Sequence, residues 1–157
     1  MIEPKDRMDR RKEAAQACLT RFADKPYQPG SRDCTMMARH LLHKLSIKVP
    51  FAKGVRYSSE IGGVKFLKRA GFDTLIQAVD ALGLQRISPA SALVGDLVAL
   101  PTTSLLGSLA ICVGPGRLLA YGEDFAGATV IGDVTQYVED ANGPCAWRTL
   151  PLPGDIL

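Results

Sequence analysis

The sequence predicts an α+β domain in which N-terminal helices pack on a mainly antiparallel sheet of about five strands. Two observations predict it. As far as Leu82 the apolar residues recur at helical spacing, and from Gly95 onward they fall in short β-type runs punctuated by Gly and Pro. Strands that follow one another so closely leave no helical crossovers, which a parallel sheet would need. With 157 residues and 46% hydrophobic content, the chain is expected to be one domain, burying roughly two-thirds of the surface its unfolded form exposes. It divides into an N-terminal helix (residues 1–25), a helical half (26–94) and a sheet half (95–157).

The elements follow in order. From about Asp9 to Ala23 a helix is expected, with Ala14, Ala15, Cys18, Leu19 and Phe22 on one side and Arg10, Arg11, Lys12 and Arg21 off it. Cys18 reads as core. Tyr27, Pro29 and Gly30 make a loop, after which Ser31 and Asp33 offer oxygens to cap a helix beginning near Cys34. Cys34, Met37, Ala38, Leu41, Leu42 and Leu45 then form one apolar stripe, so the thiol faces inward or into a cleft. That helix ends before Val49-Pro50, because the residue ahead of a proline disfavours helical geometry. Ser58 or Ser59 can cap a third helix reaching Ala70, with Gly71 in the position that commonly ends one, and Thr74 to Leu82 gives a short fourth. GDLVAL, GSLAICVG, RLLAYG, ATVIGDV and CAWRTL are the five expected strands.

Charge and cysteine usage narrow the function classes. The net charge is +3, but residues 1–70 hold 16 of the 19 Lys and Arg against 7 Asp and Glu, a balance of +9 that leaves −6 for the other 87 residues. The basic residues are spread along helix faces with neither a basic run nor interleaved aromatics, which points to a solvated surface or a protein partner and away from nucleic acid. The N-terminus MIEPKDRMDRRKEAA is charged throughout and no apolar run approaches the roughly 20 residues of a bilayer span, so neither a signal peptide nor a membrane span is expected. Four scattered cysteines without a CxxC pair read as reduced thiols.

Cys34 has two readings. A free cysteine on an apolar stripe is commonly a buried core thiol. As a nucleophile it gains from the helix's positive end, but only by about 0.3–1 kcal/mol, less than one pKa unit, and Asp33 next door works against it. A reactive thiol therefore needs a base. The two histidines, His40 and His43, lie on the same helix about 240° and 180° around from Cys34 and roughly 9 and 13 Å along the axis. Neither can serve, and both read as solvated. Without clustered ligands at metal spacing, no metal and no cofactor is expected.

PY, a short Gly-containing loop, DC opening an amphipathic helix, then GDLVAL and SLAICVG together resemble the NlpC-type cell-wall peptidases of the papain-like cysteine peptidase superfamily, over about residues 26–122. The resemblance implies a papain-like fold in which Cys34 matches the nucleophile that attacks peptidoglycan peptides, Asp33 its neighbour and Tyr27 the tyrosine beside it. Gly95 and Asp96 match the start of the first strand. Where those peptidases open the strand HVGIYVG with a histidine base, this chain has Ser108. A hydroxyl is no base near neutral pH, and losing general-base help removes about 10²–10⁴ of rate. The residue that orients the histidine would fall near Leu119 to Tyr121.

A short chain with DC retained and the histidine lost looks like the phage-encoded branch of this superfamily found among tail-tip assembly proteins. That implies a virion component, assembled in the host cytoplasm, whose partners are tail hub or tail-tip proteins and whose neighbour is peptidoglycan. Two other functions stay open at the level of sequence: an active cysteine peptidase or amidase, with a base from an unrecognised residue or another subunit, and a module that binds a peptide or glycan in the old cleft.

Overall fold

The computed structural model describes residues 4–122 and 124–151. Four helices come first: α1 (Pro4–Phe22), α2 (Cys34–Lys44), α3 (Glu60–Arg69) and α4 (Leu75–Asp80). Eight short strands follow: β1 (Gln85–Arg86), β2 (Leu97–Ala99), β3 (Leu109–Gly114), β4 (Arg117–Ala120), β5 (Thr129–Ile131), β6 (Glu139–Asp140), β7 (Gly143–Pro144) and β8 (Ala146–Arg148). The main sheet has six strands in the order β1-β8-β2-β3-β4-β5, every pair antiparallel, and β6 and β7 form a separate ribbon. The α+β class and the antiparallel sheet are therefore as expected. All five anticipated runs contain a strand, and β1 is the addition that makes six. Its two polar residues carry no alternation; Arg86 holds the edge by pairing with Asp80 at 2.7 Å and with Asp140 at 3.0 Å, its guanidinium lying over the Trp147 ring.

The helix ends follow local chemistry. Asp33, Ser59 and Thr74 each cap a helix, accepting from the amides of Met36, Gly62 and Gln77 respectively. Ser31, the other candidate cap for α2, instead donates its hydroxyl to Gln28 within the preceding loop. α1 starts earlier than expected, since Pro4 at a first helical position lacks only an amide that would have no partner there.

The sheet is buried on both faces, so its strands read as near-continuous apolar runs. Leu97, Ala99, Leu109, Ile111, Leu119 and Trp147 face the helices and meet the α2 stripe, with Cys18 and Phe22 of α1 in the same core. Val98, Ala110, Cys112, Leu118 and Ala120 point the other way, under a cover that includes Ile87, Ala92 and Val134. α2 packs between α1 and the central strand β3. Among the described residues, no helix is long and apolar enough to cross a membrane.

One expectation is overturned inside α1. Arg11, placed off the apolar side, is fully buried. Its guanidinium donates to Asp96 at 2.8 Å and to the Val94 carbonyl at 3.0 Å, and Arg148 meets the other oxygen of Asp96 at 2.6 Å. The backbone amides of Leu93 and Thr149 complete the shell around this carboxylate. Gly95 makes room for it: its φ is +88°, and a Cβ there would lie 3.1 Å from that of Arg11. Gly95 and Asp96 stand just ahead of β2, the second strand, and belong to no strand themselves. Their physical role is to clamp α1 to β2 and β8 with a buried ion network.

Candidate functional site: a cleft at the start of α2

The loop before α2 is folded to deliver Cys34 to a cleft. Gln28 and Arg32 pair their backbones across a tight turn. At its apex Gly30 has φ +86°, and a Cβ there would come within 1.7 Å of the Tyr57 carbonyl oxygen, so only glycine fits. Asp33 fastens the turn to the helix. Its carboxylate accepts from the Gly30 amide at 2.8 Å, the Met36 amide at 2.8 Å and the Tyr57 hydroxyl at 2.6 Å. With only 1% of its surface exposed and its oxygens so engaged, Asp33 is a structural keystone beside the thiol.

Cys34 is 7% exposed, and its thiol donates to the carbonyl of Gly107 at 3.5 Å. Burial pushes the thiol up to about 11, with the Asp33 carboxylate adding to the rise; hydrogen bonds to the sulfur oppose it without winning. The positive end of α2 is therefore outweighed by desolvation.

The thiol borders a cleft of about 310 Å³ that also takes in Tyr27, Asp33, Glu60, Ser108 and Tyr121. The four residues singled out in the sequence, Cys34, Asp33, Tyr27 and Ser108, thus come together although they span more than half the chain. Ser108 stands immediately ahead of β3, and its carbonyl accepts from the Leu100 amide across the sheet. Tyr27 turns its ring edge toward Tyr121 at 5.8 Å and donates its hydroxyl to Glu60 at 3.1 Å. Burial pushes the Tyr121 phenol up to about 12, and its buried hydroxyl has no hydrogen-bond partner among the described residues. Tyr121 lies in the stretch expected to carry the orienting residue.

Neither histidine reaches the cleft. His43 is exposed; His40 is partly buried rather than fully solvated, packing edge-on against Phe22 at 5.8 Å, and desolvation lowers its pKa. Among the described residues, no group of three His, Cys, Asp or Glu side chains is placed to hold a metal ion.

Sequence reasoning missed Glu60. It follows the cap Ser59 and reads as an ordinary first-turn acid of α3, yet its Oε1 accepts from both Tyr27 and the Ser104 hydroxyl, the latter at 3.0 Å. No local signal distinguishes it, because its partners arrive from two distant loops. What this arrangement offers chemically is a shielded hydroxyl-rich hollow with a protonated thiol and an acid at its mouth.

A family model described as Domain of unknown function (DUF6950) matches residues 6–141. The chain belongs to the DUF6950 family. The matched span holds the whole DUF6950 cleft, from Tyr27 to Phe125, together with Arg11 and Asp96 of the clamp, and stops before β8. Neither a curated protein nor a solved structure matches the chain.

Proposed function

We propose that this DUF6950 protein is a structural component of a phage tail tip or baseplate hub, built on a papain-like, NlpC-type fold whose peptidase site is incomplete. One observation carries the reading: Cys34 and Ser108 line the same cleft, and the chain's only two histidines lie elsewhere. In the peptidases that the DC motif resembles, the residue opening that strand is the imidazole that takes the thiol's proton. A serine hydroxyl cannot take it near neutral pH.

The state of the sulfur supports the same conclusion. With its pKa at about 11, Cys34 is a thiolate in only about one molecule in ten thousand at pH 7. Loss of the general base removes about 10²–10⁴ of rate, and loss of a member of a catalytic set often more. The order of helices before an antiparallel sheet, with the cysteine helix packed on the central strand, supports the papain-like part of the reading. In this role the cleft and its surroundings are docking architecture at the tip, near peptidoglycan without cleaving it.

The test is association. Mixed with a tail hub protein and run on size exclusion with light scattering, the chain is expected to form a stoichiometric complex and to be present in purified particles. A monomer that ignores hub proteins and is missing from particles would refute the role, and digestion of murein sacculi by the purified chain would refute the loss of activity.

A further inference from the structure

The cleft is more elaborately furnished than a relic requires. Glu60 and Asp33 line it, and among the described residues no Lys, Arg or His does. The oxygens of Asp33 are taken by Gly30, Met36 and Tyr57. Glu60 receives two hydroxyl donors on one oxygen, and among the described residues no cation lies within ion-pair distance of it. An adjoining hollow that shares Thr102, Ser108, Tyr121 and Phe125 adds the Asp124 carboxylate. The Tyr121 ring lines the same cleft, while its hydroxyl is itself buried, with no hydrogen-bond partner among the described residues.

Solvent reaches polar and apolar residues alike at the rim, Thr102 and Thr103 as well as Tyr27 and Phe125. Of the five exposed large hydrophobic residues among those described, Tyr27 (44%) and Phe125 (36%) line the cleft, while Ile61 (60%) follows Glu60 and Leu105 (75%) sits between two lining residues. Exposed apolar side chains gathered at one mouth mark a contact surface. They also extend outside the hollow, further than a small molecule seated within it would cover.

We infer that this cleft is a socket for a polypeptide partner, taking one Arg or Lys side chain of an apolar segment. The cationic head meets the Glu60 carboxylate in the hollow that the Tyr27 and Phe125 rings also line, rings of a kind that a flat guanidinium stacks on. The residues flanking it in the partner cover Ile61 and Leu105. The inference builds on the docking role proposed above by naming the chemistry of the contact, and the two can fail separately.

The experiment selects from a ribosome-displayed library of random dodecapeptides on the wild-type protein and on Glu60→Gln, which keeps an acceptor for Tyr27 and Ser104 and removes the charge. The expected result is enrichment of peptides with an Arg or Lys between apolar residues. In fluorescence anisotropy the best peptide should bind at least about tenfold more weakly to Glu60→Gln, and equally weakly when its basic residue is replaced by glutamine. Phe125→Ala, which removes an exposed ring that lines the cleft, should weaken it by about threefold or more, and serves as the test should Glu60→Gln not fold. Selection without basic residues, or equal affinity for wild type and both variants, would overturn the inference. So would n-butylguanidine binding as tightly as the peptide, which would make the hollow a small-amine site, or a wild-type dimer that Glu60→Gln dissociates, which would put a second copy there. A hub protein that binds wild type and Glu60→Gln alike would leave the docking role standing and remove the socket; a Glu60-dependent basic consensus on a protein that ignores hubs would do the reverse.

Discussion

Replacing Ser108 by histidine puts an imidazole where the resemblance expects the base. Ser108 and Cys34 line one cleft, and Ser108 is only partly buried, so the larger side chain has open space to enter. In the wild type the thiol titrates at about 11 because burial disfavours its charge. An imidazolium beside it would work in the opposite direction; a fall to about 8 raises the thiolate fraction at pH 7 roughly 900-fold. The less basic thiolate is also the weaker nucleophile, by about 16- to 32-fold over three units at a Brønsted coefficient of 0.4–0.5. The net expectation is labelling of Cys34 by iodoacetamide about 30- to 60-fold faster in Ser108→His than in wild type. Timed labelling at pH 7, with each cysteine followed by mass spectrometry, reads this directly. The fully buried Cys18, whose thiol burial pushes up to about 12, is the internal reference, and Ser108→Ala should change nothing. A folded Ser108→His protein with an unchanged Cys34 rate would mean that position 108 does not face the sulfur. The alignment with the peptidases would then be wrong. A wild-type Cys34 that already labels like a free thiol would equally refute the account of its burial.

Asp96→Asn removes the buried carboxylate that Arg11 and Arg148 share and should cost about 3–5 kcal/mol in urea unfolding; a loss under 1 kcal/mol would mean that the clamp between α1, β2 and β8 is not what holds them. Gly30→Ala meets the Tyr57 carbonyl and a positive φ, so it should lower stability by roughly 1–3 kcal/mol, and an unchanged urea midpoint would contradict the fold of this turn. Stability should also fall in alkali. Cys18 and Cys34 both have folded pKa values above their ordinary value of 9.0, so the native state holds protons that the unfolded state releases, and stability declines as pH rises from about 9 toward 11. Urea midpoints at pH 8 and 10.5 test the sign, and Cys34→Ala should make the decline shallower.

Much of the candidate site was legible because its signals are local. Asp33 could be read as a cap because it precedes an apolar stripe, and Cys34 as inward-facing because it begins that stripe. Ser108 could be matched because a histidine-bearing strand has a short pattern of its own. Glu60 carried no such mark, and Arg11 was misread because helical periodicity assigns a charge to solvent unless a distant carboxylate claims it. β1 and the β6–β7 ribbon escaped for a related reason: strands of two residues have no period, and tertiary partners such as Arg86 with Asp80 and Asp140 hold β1 in place.

By itself, then, the amino-acid order determined the α+β class, the starts of α2, α3 and α4, the five longer strand runs and the cysteine at a helix's first turn, since each depends on neighbours within a few residues. Only the tertiary structure decided that Tyr27, Cys34, Glu60, Ser108 and Tyr121 share one hollow, that Glu60 has no cation beside it among the described residues, and that the thiol stays protonated. Those properties depend on burial and on charges brought close from distant parts of the chain, and desolvation is a property of the packed molecule that no short stretch of sequence carries.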